Sequence, residues 1–170
     1  LGLLCGIVLA LLYALLHGVL CIIYHIDQVI CGVGLNMFAS GFTASMTQVI
    51  WGSRANSASV ASLPHVTLPV LGNVSFILPL TIVIGIVGWI YMFRTPWGLR
   101  LRIVGEKPVA ARTIGISIRK YRFFGECIVG ALCGLAGSYL AIDHVNRFAF
   151  GMSSGRGYIA VAVNILGAYN

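Results

Sequence analysis

The sequence predicts an all-α, polytopic transmembrane helical bundle, because it is very apolar and its charges are few and clustered. Hydrophobic residues make up 59% of the 170 residues and charged residues only 9%, whereas a soluble domain carries about 25% charge. So few charged side chains cannot cover a globular surface with groups that water solvates. The composition excludes an ordinary cytosolic enzyme, a disordered chain and a secreted disulfide scaffold.

Five apolar runs predict about five membrane segments within a single transmembrane domain that covers residues 1–170. The first four runs are long enough to cross a hydrocarbon core of about 30 Å as helices. The spans are expected at residues 1–24, 28–51, 74–93, 123–142 and 157–170. Because the sequence starts and stops inside apolar runs, we expect it to be the central fragment of a longer membrane protein.

The distribution of basic residues predicts the orientation in the membrane. Eight of the eleven lysine and arginine residues lie in the segment 94–122, between the third and fourth spans. The positive-inside rule places such a loop in the cytoplasm. This interpretation is favoured over binding of nucleic acid or of anionic lipid. The net charge of +7 therefore indicates topology, and no nucleic-acid partner is expected.

No arrangement of residues in the sequence is typical of an enzyme. Phosphate-binding GxxxxGK[ST] and nucleophilic GxSxG motifs are absent. The five cysteines form no CxxC pair, and no histidine joins them at the spacing of a zinc site. Buried free thiols behave as small apolar groups. We therefore expect no catalytic residue, no metal site and no cofactor in this chain.

Small residues recur at four-residue steps in the first and fourth spans. Such ribbons let another helix approach closely, so they predict helix packing. The ribbons comprise Gly2, Gly6, Ala10, Ala14 and Gly18 in the first span and Gly130, Gly134 and Ser138 in the fourth.

An ion pair is expected where the fourth span meets the cytoplasm. Glu126 follows Arg122 by four residues, the spacing at which opposite charges meet on a helix surface. The pair would sit at the membrane boundary.

The second span carries a polar ribbon in an otherwise apolar protein. Polar groups in hydrocarbon are costly, so they usually face a cavity or a neighbouring helix. The sequence supports lining of a translocation path and interhelical hydrogen bonding equally. Our hypothesis is a path for a polar, uncharged solute, with four side chains as hydrogen-bonding groups: Gln28, Asn36, Ser40 and Thr43.

A short helix is predicted within the basic segment, at residues 107–115. Pro108 suits its first turn and Gly115 its end. The helix is too short and too polar to span a bilayer. The residues alone leave it as either a plain connector or a docking element for a soluble partner.

Three stretches resemble a known family, the ATP-binding-cassette import permeases for branched-chain amino acids, simple sugars and nucleosides. The first is similar to the main cytoplasmic loop of these proteins and reads TPWGLRLR at 95–102, VGEKP at 104–108, AA at 110–111 and TIGI at 113–116. The second and third are similar to the nucleoside and simple-sugar branch and read LHG at 16–18, HIDQVICG at 25–32, LN at 35–36 and MSSGRGYIA at 152–160.

The resemblance implies a permease subunit of an ATP-driven importer for a nucleoside or simple sugar, in a bacterial plasma (inner) membrane. It implies three protein partners: a cytoplasmic ATP-binding subunit, a second permease subunit and an extracytoplasmic substrate-binding protein. ATP would be used by the partner ATPase. The family's coupling helix, which contacts the ATPase, matches Glu106, Lys107, Pro108, Ala110, Ala111, Thr113 and Gly115.

Two other function classes remain as alternatives. A secondary transporter or channel working without an ATPase predicts ionisable groups at mid-membrane. The four acidic residues map instead to boundaries or loops, which disfavours that class. An integral-membrane enzyme or a structural membrane subunit is the third class, and an enzyme would gather His, Asp or Glu at one membrane face. The acidic residues are Asp27, Glu106, Glu126 and Asp143.

Overall fold

The computed structural model describes residues 2–54, 56–59, 65–68, 72–75 and 77–168. Across these residues the chain is a helical bundle with one short hairpin, which confirms the predicted all-α membrane fold. Four helical segments of the described residues are long and apolar enough to cross a membrane. They are Gly2–Ile23, Gln28–Trp51, Ile77–Arg94 and Ile118–His144.

The first two spans are separated by a short break. Helix α1 (Gly2–Gly18) continues into a π-helical segment (Val19–Ile23), and α2 covers Gln28–Trp51, the range expected for the second span. His25 has a left-handed φ of 57°, which turns the chain between them. The Asp27 carboxylate accepts hydrogen bonds from two backbone N–H groups of α2, at 2.9 and 3.1 Å, and so caps its N-terminus.

A hairpin precedes the third span. Strand β1 (His65–Leu68) pairs antiparallel with β2 (Gly72–Ser75). Helix α3 (Ile77–Arg94) begins three residues later than the expected position 74, because residues 72–75 are hydrogen-bonded in the hairpin.

The basic segment is mostly helical. Helix α4 (Pro96–Glu106) and the short α5 (Pro108–Thr113) follow α3. Helix α6 then runs over Ile118–Tyr139 and ends in a π-helical segment, Leu140–His144. It starts five residues before the expected position 123, because a helix that leaves the membrane can continue through charged residues in water.

The expected fifth span corresponds to a shorter element. Helix α7 covers Arg156–Ala168 and has 13 residues, fewer than the roughly 20 that cross a bilayer. Residues 1, 76, 169 and 170 of the expected spans lie outside the described residues.

Both ribbons of small residues lie at helix contacts, as predicted, and the structure shows that they pack against each other. A Cβ placed on Gly134 of α6 would lie 2.7 Å from the Ala10 Cβ and 2.8 Å from the Ile7 Cα of α1. Gly130 meets Ala14 one turn along, and Gly6 meets Ser138 one turn in the other direction. Residues further along α1 contact residues earlier in α6, so the two helices are antiparallel.

The loops that follow α2 and α6 meet at one end of the bundle. The backbone N–H of Ser57 donates to the carbonyl of Phe148 at 2.9 Å, and the Phe148 N–H donates to the Ser57 hydroxyl at 2.9 Å. These two segments therefore lie at the same end of the bundle, and α4 and α5, which connect α3 to α6, lie at the opposite end.

Candidate functional site: a cleft and a helix corner

An open cleft of about 610 Å³ lies between α1, α2 and α6. Most of its lining is apolar, and its polar groups come mainly from α1 and α2. The polar and aromatic side chains that line it include Tyr13 and His17 of α1 and Asn36, Phe38, Phe42 and Thr43 of α2. A largely apolar pocket with a few placed polar groups is the usual form of a small-molecule site.

Two of the four predicted path residues line this cleft. Asn36 contributes its carboxamide, and Thr43 is held in place because its hydroxyl donates to the Ala39 carbonyl at 2.7 Å. The donated bond leaves the Thr43 oxygen able to accept a hydrogen bond. Asn36 and Thr43 are therefore available to a polar ligand.

The other two path residues lie outside the cleft. Gln28 is the first residue of α2 and is exposed. Ser40 is exposed and is not among the residues that line the cleft, and its hydroxyl donates to the Asn36 carbonyl at 2.9 Å. The four-residue step drifts by about 40° per turn of helix, so a ribbon that starts at Gln28 does not stay on one face.

Aromatic side chains form one wall of the cleft. The rings of Phe38 and Phe42 stack with centroids 5.8 Å apart and planes 17° from parallel. On the facing helix, the hydroxyl of Tyr13 donates to the carbonyl of Leu35, which ties α1 to α2. Flat aromatic faces beside hydrogen-bonding groups suit a planar solute with polar edges.

The second candidate feature is the tight corner between α3 and α4. The Thr95 hydroxyl donates to the Tyr91 carbonyl at 2.6 Å and accepts from the Gly98 N–H at 3.2 Å. Pro96 occupies the first turn of α4, where its missing N–H costs nothing. Gly98 packs against the backbone of α3 so closely that a Cβ would lie 2.6 Å from the Met92 carbonyl oxygen.

Helix α4 is also fixed to α6. The rings of Trp97 and Tyr121 lie 5.9 Å apart, and Arg100 donates to the Tyr121 hydroxyl at 3.4 Å. Val104 is 2% exposed. These contacts hold α4 against the C-terminal end of α3 and the N-terminal end of α6 as one unit.

The short helix α5 and the residue after it carry exposed apolar side chains. Ala111 is fully buried, and its carbonyl accepts from the Ile116 N–H at 3.0 Å. Val109 is 78% exposed and Ile114 63% exposed. Gly115 ends the segment with a φ of 76°, a conformation that favours glycine. The other predicted coupling residues, Glu106, Lys107, Pro108, Ala110 and Thr113, lie on or beside this helix, exposed or partly so.

Glu126 is not paired with Arg122 as expected but lies against a histidine of α1. Glu126 Oε1 lies 2.7 Å from Nδ1 of His17 on α1. The cause is packing, because Glu126 is on the side of α6 that touches α1: a Cβ on Gly18 would lie 3.2 Å from the Glu126 Cγ. Arg122 lies on a more exposed part of the helix surface.

Comparison with known proteins places this architecture in a family. A family profile described as "Branched-chain amino acid transport system / permease component" matches residues 1–170, the whole chain. The chain belongs to this permease family. No solved structure is a significant match to it.

Several curated relatives match across nearly the full chain. The guanosine ABC transporter permease NupQ of Bacillus subtilis is 34% identical, and the nucleoside ABC transporter permease NupC of Lactococcus lactis is 32% identical; both cover 100% of this chain. The putative glucose ABC transporter permease TsgC13 of Haloferax volcanii is 32% identical over 95% of it. The chain spans 51–57% of the length of these relatives.

Proposed function

We propose that this chain is the central part of a permease subunit in an ATP-driven importer, with a nucleoside or simple sugar as its solute. Alternating access would be driven by a separate ATPase, with no covalent chemistry in this chain. The working protein would sit in the bacterial plasma membrane, with residues 94–122 on the cytoplasmic side.

The proposal rests on how α5 is mounted. Val109 of α5 and Ile114, the residue that follows it, are exposed apolar side chains, while the buried Ala111 and the fixed α4 join α5 to two spans, α3 and α6. A rigid element of this kind transmits rigid-body motion, whereas a slack loop does not. The surface suits a cleft on a partner ATPase, whose closure would then displace α3 and α6.

The cleft between α1, α2 and α6 supports the substrate class. Asn36 and Thr43 offer hydrogen bonds, and Phe38 and Phe42 offer flat faces to a base or to the apolar side of a sugar ring. Two of the relatives are named for guanosine or nucleoside transport and one for glucose. A nucleoside uses both features of the cleft, so it is the first solute to test.

Three further partners complete the proposed assembly. A second permease subunit would close the open side of the cleft, the lipid bilayer would cover the remaining apolar helix faces, and an extracytoplasmic binding protein would deliver solute at the Ser57–Phe148 end. Alternating access at a site between membrane helices is the general mode of such transporters.

Uptake by the reconstituted complex tests the proposal. The full-length permease, its co-purified ATPase and the binding protein are placed in liposomes that contain ATP on the ATPase side, and uptake of labelled guanosine and glucose is measured. We expect uptake that stops with a non-hydrolysable ATP analogue. Uptake that does not depend on ATP but depends on a proton or sodium gradient would instead establish the secondary-transporter alternative.

A further inference from the structure

A cluster of metal-ligating side chains lies near the cytoplasmic ends of α1, α2 and α6, outside the coupling helix. The His17 imidazole, the Cys21 thiol and the Cys31 thiol each place one ligand atom within 4.8 Å of the other two. Cys31 is 8% exposed, and His17 and Cys21 are partly buried. We propose that these three side chains bind a thiophilic metal ion of the Zn²⁺ class.

The spacing of the three atoms suits such an ion. The His17 Nε2 lies 3.4 Å from the Cys21 Sγ. A tetrahedral Zn²⁺ with Zn–S bonds of about 2.3 Å and a Zn–N bond of about 2.0 Å holds its ligand atoms about 3.5–3.8 Å apart. The other separations are at most 4.8 Å, so side-chain movements of up to about 1 Å would bring all three atoms to the tetrahedral distances. A fourth position would stay open.

The second nitrogen of the imidazole has the partner that a metal-binding histidine requires. Nδ1 of His17 lies 2.7 Å from Oε1 of Glu126, so an Nδ1–H donated to the carboxylate leaves the Nε2 lone pair directed at the thiols. A carboxylate behind the histidine is the usual outer partner at zinc sites, because it fixes the tautomer and raises the basicity of the ligand. An imidazolium–carboxylate pair alone accounts for the Glu126 contact but not for two thiols at the opposite nitrogen.

Charge balance also fits the location. Binding replaces two thiol protons by one divalent cation, and both protons are released to solvent. Two thiolates and a neutral imidazole around Zn²⁺ carry no net charge, which suits a site bordered by hydrocarbon. Cys21 lies in the π-helical segment Val19–Ile23, an irregularity that is frequent at functional sites.

The site would join three membrane segments at one point. His17 and Cys21 belong to the first span, Cys31 to α2 and Glu126 to α6. His17 also lines the cleft, so a bound ion would sit at the edge of the proposed path and hold its walls together. The inference concerns metal binding alone and holds whatever the solute is.

Equilibrium binding of Zn²⁺ to purified, chelator-stripped full-length permease tests the site. A chromophoric chelator competes for Zn²⁺, and the variants are Cys21→Ser, Cys31→Ser and Glu126→Gln, with Cys5→Ser as the matched control because Cys5 is exposed on α1. We expect each of the first two to weaken binding at least 100-fold, Glu126→Gln to weaken it about 10–100-fold, and Cys5→Ser to leave it unchanged. Mg²⁺, a hard cation, should not compete.

A second measurement on the unaltered protein avoids any folding defect of the variants. Maleimide labelling followed by mass spectrometry reports each thiol separately. Zn²⁺ should protect Cys21 and Cys31 while Cys5 stays reactive. Equal labelling with and without Zn²⁺, or Zn²⁺ affinity unchanged in both serine variants, would overturn the proposal. Neither readout depends on transport, so the failure of this site and that of the proposed importer are distinguishable.

Discussion

Gly98 lies against the backbone of Met92, so that a Cβ on Gly98 would sit 2.6 Å from the Met92 carbonyl oxygen and 2.7 Å from the Met92 Cα. The clash would be with backbone, which cannot rotate away as a side chain can. The corner between α3 and α4 thus depends on one glycine. Any motion of α5 that reaches α3 passes through this corner.

The first prediction concerns this corner. Gly98→Ala should lower the stability of the full-length permease by about 1–3 kcal/mol, because overpacking forces the backbone to shift. It should also reduce ATP-dependent uptake, since α4 can no longer seat on α3. Thermal unfolding in detergent and uptake in liposomes measure the two effects.

The matched control is Gly105→Ala on the same helix. A Cβ there meets nothing within 4 Å, and alanine is the better helix former by about 0.8–1.0 kcal/mol. Gly105→Ala should leave stability unchanged or raise it. Equal losses in both variants would show that the corner is not specially tight.

The second prediction concerns the contact between α1 and α6. Gly134→Ala would place its Cβ 2.7 Å from the Ala10 Cβ and 2.8 Å from the Ile7 Cα, so the helices must separate. We expect a loss of about 1–3 kcal/mol in the free energy of unfolding. Gly137→Ala, where nothing lies within 4 Å, should be harmless. A stable Gly134→Ala variant would contradict the close packing of these helices.

The third prediction separates two possible partners of Glu126. In metal-free permease, a double-mutant cycle of His17→Gln and Glu126→Gln should give a coupling energy on the order of 1 kcal/mol, because the two side chains share one hydrogen bond. Arg122→Gln should change the free energy of unfolding by no more than about 0.5 kcal/mol, as substitutions at exposed positions usually do. If the His17→Gln and Glu126→Gln effects on the free energy of unfolding were additive, and Arg122→Gln lowered it strongly, Arg122 would be the partner of Glu126, as helix spacing suggested.

The fourth prediction divides the polar residues of α2 into two groups. Asn36→Ala and Thr43→Val each remove one hydrogen-bonding group from the cleft, which is worth about 0.5–1.5 kcal/mol, so KM for uptake should rise about 2–10-fold. Ser40 does not line the cleft, so Ser40→Ala should leave KM for uptake unchanged. Initial uptake rates at equal membrane expression give the comparison. A defect for Ser40→Ala alone would show that the path does not run through this cleft.

Much of the fold could be predicted from the sequence, because bilayer thickness and charge act on local runs of residues. The run between Asp27 and Gly52 is uncharged and ends at a helix-capping residue on each side, so the bounds of α2 follow directly. The small-residue ribbons predicted that α1 and α6 each pack closely against a helix, because close approach needs small residues at every turn, but they did not identify the two helices as partners.

The contacts made across the bundle were harder to predict. His17 and Glu126 are separated by 109 positions in the chain, and the helical spacing of Arg122 and Glu126 favoured a local partner. Cys31 reaches His17 and Cys21 from a separate helix, so no sequence spacing could reveal the cluster. The His17–Cys21 spacing of four residues, one helical turn, was the available signal.

Photo-crosslinking from α5 in the full-length transporter tests the central claim most directly. A photoreactive residue at Val109, which is 78% exposed, should capture an ATP-hydrolysing subunit, with a yield that changes when ATP binds. The same probe at Val87, 58% exposed on the membrane-spanning α3, should not. Capture from Val109 alone would confirm α5 as the coupling helix; an intact, expressed transporter that yields no ATPase from Val109 would contradict the account.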